Sequence, residues 1–268
     1  MHAQLAAWIA DPAMLALAGA AGVLVGFVLG LVGGGGSILA VPLLFYVVGV
    51  GSPHVAIGTA AVGVAANAAS GLVAHARAGT VKWPCAVVFS LTGIAGAYAG
   101  SSLGKAVDGE ALLAAFGGAM ILIALWTLVP RHGADRPDVR LTLTSARQLL
   151  PRLIPFGFGA GTAAGFFGIG GGFLIAPGLM AATRMPMQIA VGTSLVAVLA
   201  FGTTTAANYA ASGLVLWPVA VAMIIGGAAG GLAGQKASQA LAARRGLLTY
   251  VFAVLVAVTG AGLIHQAL

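Results

Sequence analysis

Long apolar runs, interrupted by short polar or glycine-rich stretches, divide this chain into segments. The apolar positions follow one another without the period-two alternation of a membrane β-strand. Most runs approach the roughly 20 residues that a helix needs to cross a hydrocarbon core about 30 Å thick. They predict helical segments over 13–32, 37–50, 55–76, 84–103 and 111–130, a polar stretch over 131–150, and further segments over 153–168, 172–183, 188–212, 216–235 and 247–266. The second, sixth and seventh are short for a full crossing and suit half-helices or hairpins that turn back inside the membrane. The expected fold class is all-α: a polytopic transmembrane helical bundle with broken or re-entrant glycine-rich segments.

Composition strengthens that expectation. Of 268 residues, 60% are hydrophobic and 6% charged, and 42 are glycine; the mean hydropathy is +1.06. A soluble domain carries about a quarter charged residues, so a soluble enzyme, a nucleic-acid binder and a disordered chain are excluded. The net charge of +7 reads as topology. Threading ten segments puts Arg77, Lys82, Arg131, Arg136, Arg140, Arg147, Arg152, Arg184, Lys236, Arg244 and Arg245 on one side and Lys105 on the other. The positive side is cytoplasmic, which places both termini outside a bacterial-type inner membrane and makes 131–150, with Asp135 and Asp138 among its arginines, a cytoplasmic connector. Met1 to Ala10 lacks the basic start of a cleavable signal, and the one cysteine, Cys85, permits no internal disulfide.

The two halves match each other. Gly30-Leu-Val-Gly33-Gly-Gly35-Gly36-Ser37-Ile-Leu-Ala-Val-Pro42 corresponds to Gly165-Phe-Phe-Gly168-Ile-Gly170-Gly171-Gly172-Phe-Leu-Ile-Ala-Pro177. Beyond it, Gly58-Thr59 pairs with Gly192-Thr193, Gly79 and Trp83-Pro84 with Gly213 and Trp217-Pro218, and Gly93, Gly96 and Gly100 with Gly227, Gly230 and Gly234, at a constant offset of 134. The division is a first repeat over 13–130 and a second over 151–268. Each repeat has five segments, an odd number, so the second copy enters from the opposite side. Inverted repeats of this kind recur in secondary transporters, with the substrate between the repeats, and also in channels.

The glycine clusters are the first candidate site. Each glycine costs a helix about 1 kcal/mol relative to alanine, and non-helical backbone at membrane depth is tolerated only where protein or a water-filled cavity satisfies it. A new helix begins at Ser37 and at Gly172, and a helix start offers free N–H groups to an anion. Gly33, Gly35, Gly36, Ser37, Gly168, Gly170, Gly171 and Gly172 are therefore candidate substrate-binding residues. For the scattered Gly93, Gly96, Gly227 and Gly230, close helix packing is the better explanation. Thr59, Asn67, Thr193 and Ser194 are the polar candidates inside apolar segments, with Asn67 the foremost because polar residues within the membrane are often functional; a serine or threonine can equally bond its own helix. The run Thr203 to Thr205 must turn at least one hydroxyl inward.

All five acids, Asp11, Asp108, Glu110, Asp135 and Asp138, lie outside or at the ends of the apolar runs, so the buried carboxylate common in cation carriers is missing. An anion needs only amides, hydroxyls and an edge cation. His75 and Arg77 are candidates for a proton relay or that edge. Neither a P-loop nor an H-E-x-x-H motif occurs, and Ser37 with His54 or His75 forms no recognisable protease motif. The expectation is a non-enzyme without cofactor or metal, whose partners are a small anionic substrate and the bilayer.

At the paired blocks Gly30–Pro42 and Gly165–Pro177, with Gly58-Thr59 and Gly192-Thr193, the chain resembles the sulfite exporter TauE/SafE family over most of its length. The resemblance implies a secondary transporter of a small sulfur-containing anion such as sulfite, sulfoacetate or another organosulfonate. A channel-like anion pathway and a non-transporting membrane scaffold remain the alternatives. Ser37 stands where the second copy has Gly172, so the two half-sites need not contribute equally.

Overall fold

The computed structural model describes residues 12–32, 34–128, 143–168, 172–240 and 245–267. Within them the chain forms α1 (Pro12–Val32), an irregular α2 (34–47), α3 (Pro53–Arg77), α4 (Trp83–Ala106), α5 (Gly109–Leu128), α6 (Leu143–Phe167), α7 (Gly172–Thr183), α8 (Met187–Ala211), α9 (Trp217–Ala240) and α10 (Arg245–Ala267). No strand occurs among the described residues. Among the described residues, five stretches are long and apolar enough to cross a membrane: Pro12–Leu31, Pro53–Arg77, Trp83–Ala106, Ile189–Ala211 and Trp217–Ala237. The all-α polytopic bundle stands.

α2 and α7 are short, in keeping with the sequence. The sixth segment is not. α6 spans 25 residues from Leu143, so the end of the expected connector 131–150 is already helical. Leu, Ala, Arg and Gln are good helix formers, which outweighs the polarity of this stretch. Pro151 and Pro155 lie inside α6, where membrane helices tolerate proline because neighbours satisfy the freed carbonyls. Residues 131–142 lie outside the described residues.

Bare glycines hold the bundle together. α1 runs along α9, and α4 along α6. A Cβ added to Gly26 would strike the backbone of Gly227, and one at Gly161 the backbone of Gly93. Gly30 and Gly165 make the same close approaches one turn further along, to Gly231 and Ala97. Between helices in lipid the gain comes from backbone-to-backbone packing, which small residues permit. The expectation of close packing for Gly93, Gly96, Gly227 and Gly230 is what these approaches show.

The contacts also fix the direction of each helix. Gly63 and Asn67 of α3 meet Met223 and Gly227 of α9, and Gly22 and Gly26 of α1 meet the same two residues, so α1, α3 and α9 run one way. Gly157 and Gly161 of α6 meet Phe89 and Gly93 of α4, while Ser101 of α4 meets Asn208 of α8. Hence α4, α6 and α8 run together. α3 and α8 are antiparallel, because Gly192 lies against His75 and Gly58 against Tyr209. Each of α1, α3 and α4 thus runs opposite to its sequence counterpart α6, α8 and α9. The connections repeat too: seven residues past Pro42 and Pro177, just beyond the ends of α2 and α7, stands a residue of positive φ, Gly49 (79°) or Arg184 (59°).

One end of the bundle is cationic. Arg77, Lys82, Arg147, Arg152, Arg184, Lys236 and Arg245 fall there, and Lys105 falls at the other end. This is the distribution the sequence predicted, for the described residues.

Substituting Gly161→Ala should destabilise the fold by about 1–3 kcal/mol, the usual cost of overpacking. Gly118→Ala, which meets nothing within 4 Å, should leave stability unchanged or raise it by up to about 1 kcal/mol through helix propensity. Thermal unfolding of both proteins in detergent checks the pair.

Candidate functional site

After α1 the chain folds straight back. Gly36 sits so close to α1 that a Cβ would strike the backbone of Val28 and Leu29. Residues Gly34–Leu39, including Gly35, wind as tight 3-10 turns, and Ser37 is fully buried. This segment packs against α7, the helix that follows the second glycine cluster, and against α8. In that second cluster Gly168 ends α6 with φ 67°, a conformation glycine adopts without steric cost, and a Cβ there would strike Ile57. Gly172 is buried and opens α7. Gly33, Gly170 and Gly171 lie outside the described residues.

The two breaks lie at different depths. Ile57, beside Gly168, is one turn from the start of α3, at the Lys105 end. Leu29, beside Gly36, is about one turn from Gly26, which marks the middle of the bundle. The side chain that does reach mid-depth is Asn67. It lies near the centre of α3 and is level with Gly26 and Gly227.

Asn67 is 3% exposed, and its Nδ2 has no hydrogen-bond partner. Its carboxamide fills the space that a side chain at Gly227 would take. Leaving a buried amide donor unmet costs about 1–3 kcal/mol, and such a group calls for a water, a ligand or another explanation. The counterpart of Asn67 is Phe201, whose ring occupies the matching notch over Gly93 and stacks on Phe89 at 6.2 Å between centroids. One pseudo-equivalent seat is therefore an amide and the other a benzene ring.

Thr59 and Thr193 are engaged elsewhere. The backbone N–H of Leu216 donates to Thr59 Oγ1 at 3.0 Å, and the N–H of Lys82 donates to Thr193 Oγ1 at 3.1 Å. Each threonine thereby holds the start of a helix from the other half, α9 or α4, where orphan N–H groups need acceptors. They sit toward opposite ends of the bundle and do not converge on Asn67. Ser194 donates to the carbonyl of Val191 in its own helix. His75 Nδ1 lies 2.9 Å from the hydroxyl of Thr80, at the cationic end, with Arg77 exposed beside it.

Other polar groups are buried too, of which the sequence singled out only the run that holds Thr205. Ser90 Oγ, Thr205 Oγ1 and Tyr209 Oη are buried without partners. Thr205 is the inward hydroxyl of the run Thr203 to Thr205, whereas Thr203 is exposed. Tyr209 was findable, because the internal offset of 134 aligns it with His75. Ser90, a lone serine in an apolar helix, gives no such signal.

A match to the family described as Sulfite exporter TauE/SafE covers residues 18–263. A probable membrane transporter protein of Xylella fastidiosa strain Temecula1 is 49% identical over 235 residues, covering 88% of this chain and 89% of the relative. The probable membrane transporter protein YunE of Bacillus subtilis is 26% identical over 264 residues, covering 92% of this chain and 96% of the relative. No solved structure shows a significant match.

Thr59→Val should cost about 1–3 kcal/mol, because the buried N–H of Leu216 loses its acceptor. Asn67→Ala should cost less, since no bond to Nδ2 is lost. Thermal unfolding of the two variants separates a structural clasp from a residue kept for another purpose.

Proposed function

Because the chain belongs to the sulfite exporter TauE/SafE family and is an integral membrane transporter, we propose that it carries a small sulfur-containing anion such as sulfite, sulfoacetate or another organosulfonate by alternating access. The observation that carries this reading is the unmet amide donor of Asn67 at mid-depth, between halves whose counterpart helices run in opposite directions. An oxyanion accepts hydrogen bonds and gives none. The bare glycine opposite seats the amide itself, and its Nδ2 remains a donor that no protein group already holds.

The opposite sense of α1, α3 and α4 relative to α6, α8 and α9 supports two inverted repeats, 13–130 and 151–268. Trp83 and Trp217 support it too: these counterparts are both exposed and lie at opposite ends of the bundle, as aromatic residues do at the two membrane interfaces. The cationic end faces the cytoplasm of a bacterial-type inner membrane, with both termini outside. The glycine-rich starts of α2 and α7 offer N–H groups to the anion at two other depths along its route past Asn67, and Ser37 adds a hydroxyl to the first. Thr59, Thr193 and Ser194 act at one remove by fixing helix starts and spacing. His75 relays a proton or Arg77 attracts the anion at the cytoplasmic edge.

Sulfoacetate and sulfite at millimolar concentration should raise the melting temperature of the detergent-purified protein, and proteoliposomes should show saturable counterflow of the same anion. Asn67→Ala should melt near the wild-type temperature while losing at least tenfold in anion affinity. Conductance without counterflow would instead make the protein a channel. Stabilisation by no anion would leave a scaffold.

A further inference from the structure

Lys105 is the one described lysine or arginine at its end of the bundle, and its surroundings are built from neutral groups. Its Nζ donates to the backbone carbonyl of Asn208 at 3.1 Å, to Asn208 Oδ1 at 2.8 Å and to Ser212 Oγ at 2.8 Å. It also lies 5.9 Å from the centroid of the Tyr209 ring. Asn208 Nδ2 in turn donates to Ser101 Oγ at 2.6 Å and Ser102 Oγ at 3.0 Å. Among the described residues no carboxylate joins the cluster. The nearest acid in sequence, Asp108, accepts the N–H groups of Glu110 and Ala111 at the start of α5. Among the described residues the lysine charge therefore has dipoles around it and no counter-ion.

A second observation points the same way. Tyr209 is fully buried, and its hydroxyl has no partner. It lies beside Gly104, the residue before Lys105, so close that a Cβ there would be 3.2 Å from Oη. An unpaired O–H donor beside Gly104 and the ammonium of the next residue thus share one ring, that of Tyr209, with Ser212 on the ammonium and Ser101 and Ser102 on the amide of Asn208.

The internal repeat supplies a control. At the cationic end, the counterparts of Asn208 and Ser212 are Ala74 and Ala78. The α8 half of the cluster is thus not repeated at the cationic end.

We propose that the Lys105–Asn208–Tyr209 cluster is an oxyanion-binding site at the non-cationic end of the bundle, distinct from the Asn67 seat. An arriving oxyanion takes the place of Asn208 Oδ1 and Ser212 Oγ on the ammonium and accepts the free hydroxyl of Tyr209. Because Lys105 lies on α4 and its acceptors lie at the end of α8, occupation loosens α4 from α8 at that end. The site rests on the carrier reading for its role in transport, but its binding chemistry stands by itself. The oxyanion has two sources, a soluble sulfonate or the phosphate of a lipid headgroup, and the test separates them.

The chain has three lysines, and Lys82 and Lys236 lie at the opposite end. A membrane-impermeant amine-acylating reagent, applied to sealed proteoliposomes oriented with the Lys105 end outward, reports on Lys105, read by peptide mass. Millimolar sulfoacetate should slow Lys105 acylation at least threefold in phosphatidylcholine vesicles, with acetate and chloride at the same ionic strength much less effective. Slowing only in vesicles that contain phosphatidylglycerol, independent of sulfoacetate, would assign the site to lipid headgroups. Asn208→Ala, which copies the natural Ala74 and removes an acceptor that competes for the ammonium, should fold, raise the basal acylation rate and keep the protection, whereas Tyr209→Phe, which removes the hydroxyl donor, should fold and lose most of it. Asn67→Ala should leave the protection intact, which separates this site from the mid-depth seat. Acylation unaffected by sulfoacetate and by lipid composition, or full protection that persists in Tyr209→Phe, would overturn the proposal. If sulfoacetate protects Lys105 while Asn67→Ala carries the anion normally, the mid-depth reading fails and this one holds.

Discussion

Everything else in this bundle depends on helices that approach until backbone touches backbone. Where Gly26 meets Gly227 and Gly161 meets Gly93, there is no room for a single methyl group. In lipid such helices gain nothing from hiding apolar surface, so the attraction comes from close packing over many atoms. A protein with 42 glycines would be a poor helix former in water. In the bilayer, backbone groups have no competing partner, and the cost per glycine is outweighed by the contact it permits. Both crossings join a helix of one half to a helix of the other, so the halves are interlocked and not merely adjacent.

That constraint decides which polar residues matter. Interfaces so tight leave little space, and the side chains that enter them are seated by the glycines opposite. Asn67 and Phe201 occupy matching notches, yet one is a donor without a partner and the other is a stacked ring. Near-symmetry thus accounts for the scaffold, and its breaking accounts for the chemistry. The reciprocal clasps from Thr59 to Leu216 and from Thr193 to Lys82 belong to the symmetric part. The Lys105 cluster, in which Asn208 and Ser212 have alanines as counterparts, belongs to the asymmetric part.

Much of the architecture was legible in the sequence because the governing signals are local. Run length predicted ten segments, and the positions of arginine and lysine predicted a single cationic end. The segment at 143–150 escaped because its polarity mimics a loop, while its helix propensity is high. The site was less legible. Thr59 and Asn67 both stand as polar residues in one apolar helix, and only the neighbours separate them: the first meets a helix start, the second a bare glycine. Tyr209 and Lys105 were passed over because an aromatic ring reads as core and a lone cation as topology. Contacts across more than 100 residues give each its meaning.

The central claim is that the two interlocked halves exchange conformations, opening one end as the other closes. The direct measurement is a pair of spin-label distances recorded in the same reconstituted sample conditions. One pair joins exposed Arg77 and Arg184 at the cationic end, and the other joins exposed Gly51 and Ser102 at the Lys105 end. With and without transported anion, the account predicts reciprocal changes, one distance lengthening as the other shortens. Distances that stay fixed in every condition, or that lengthen together, would contradict it.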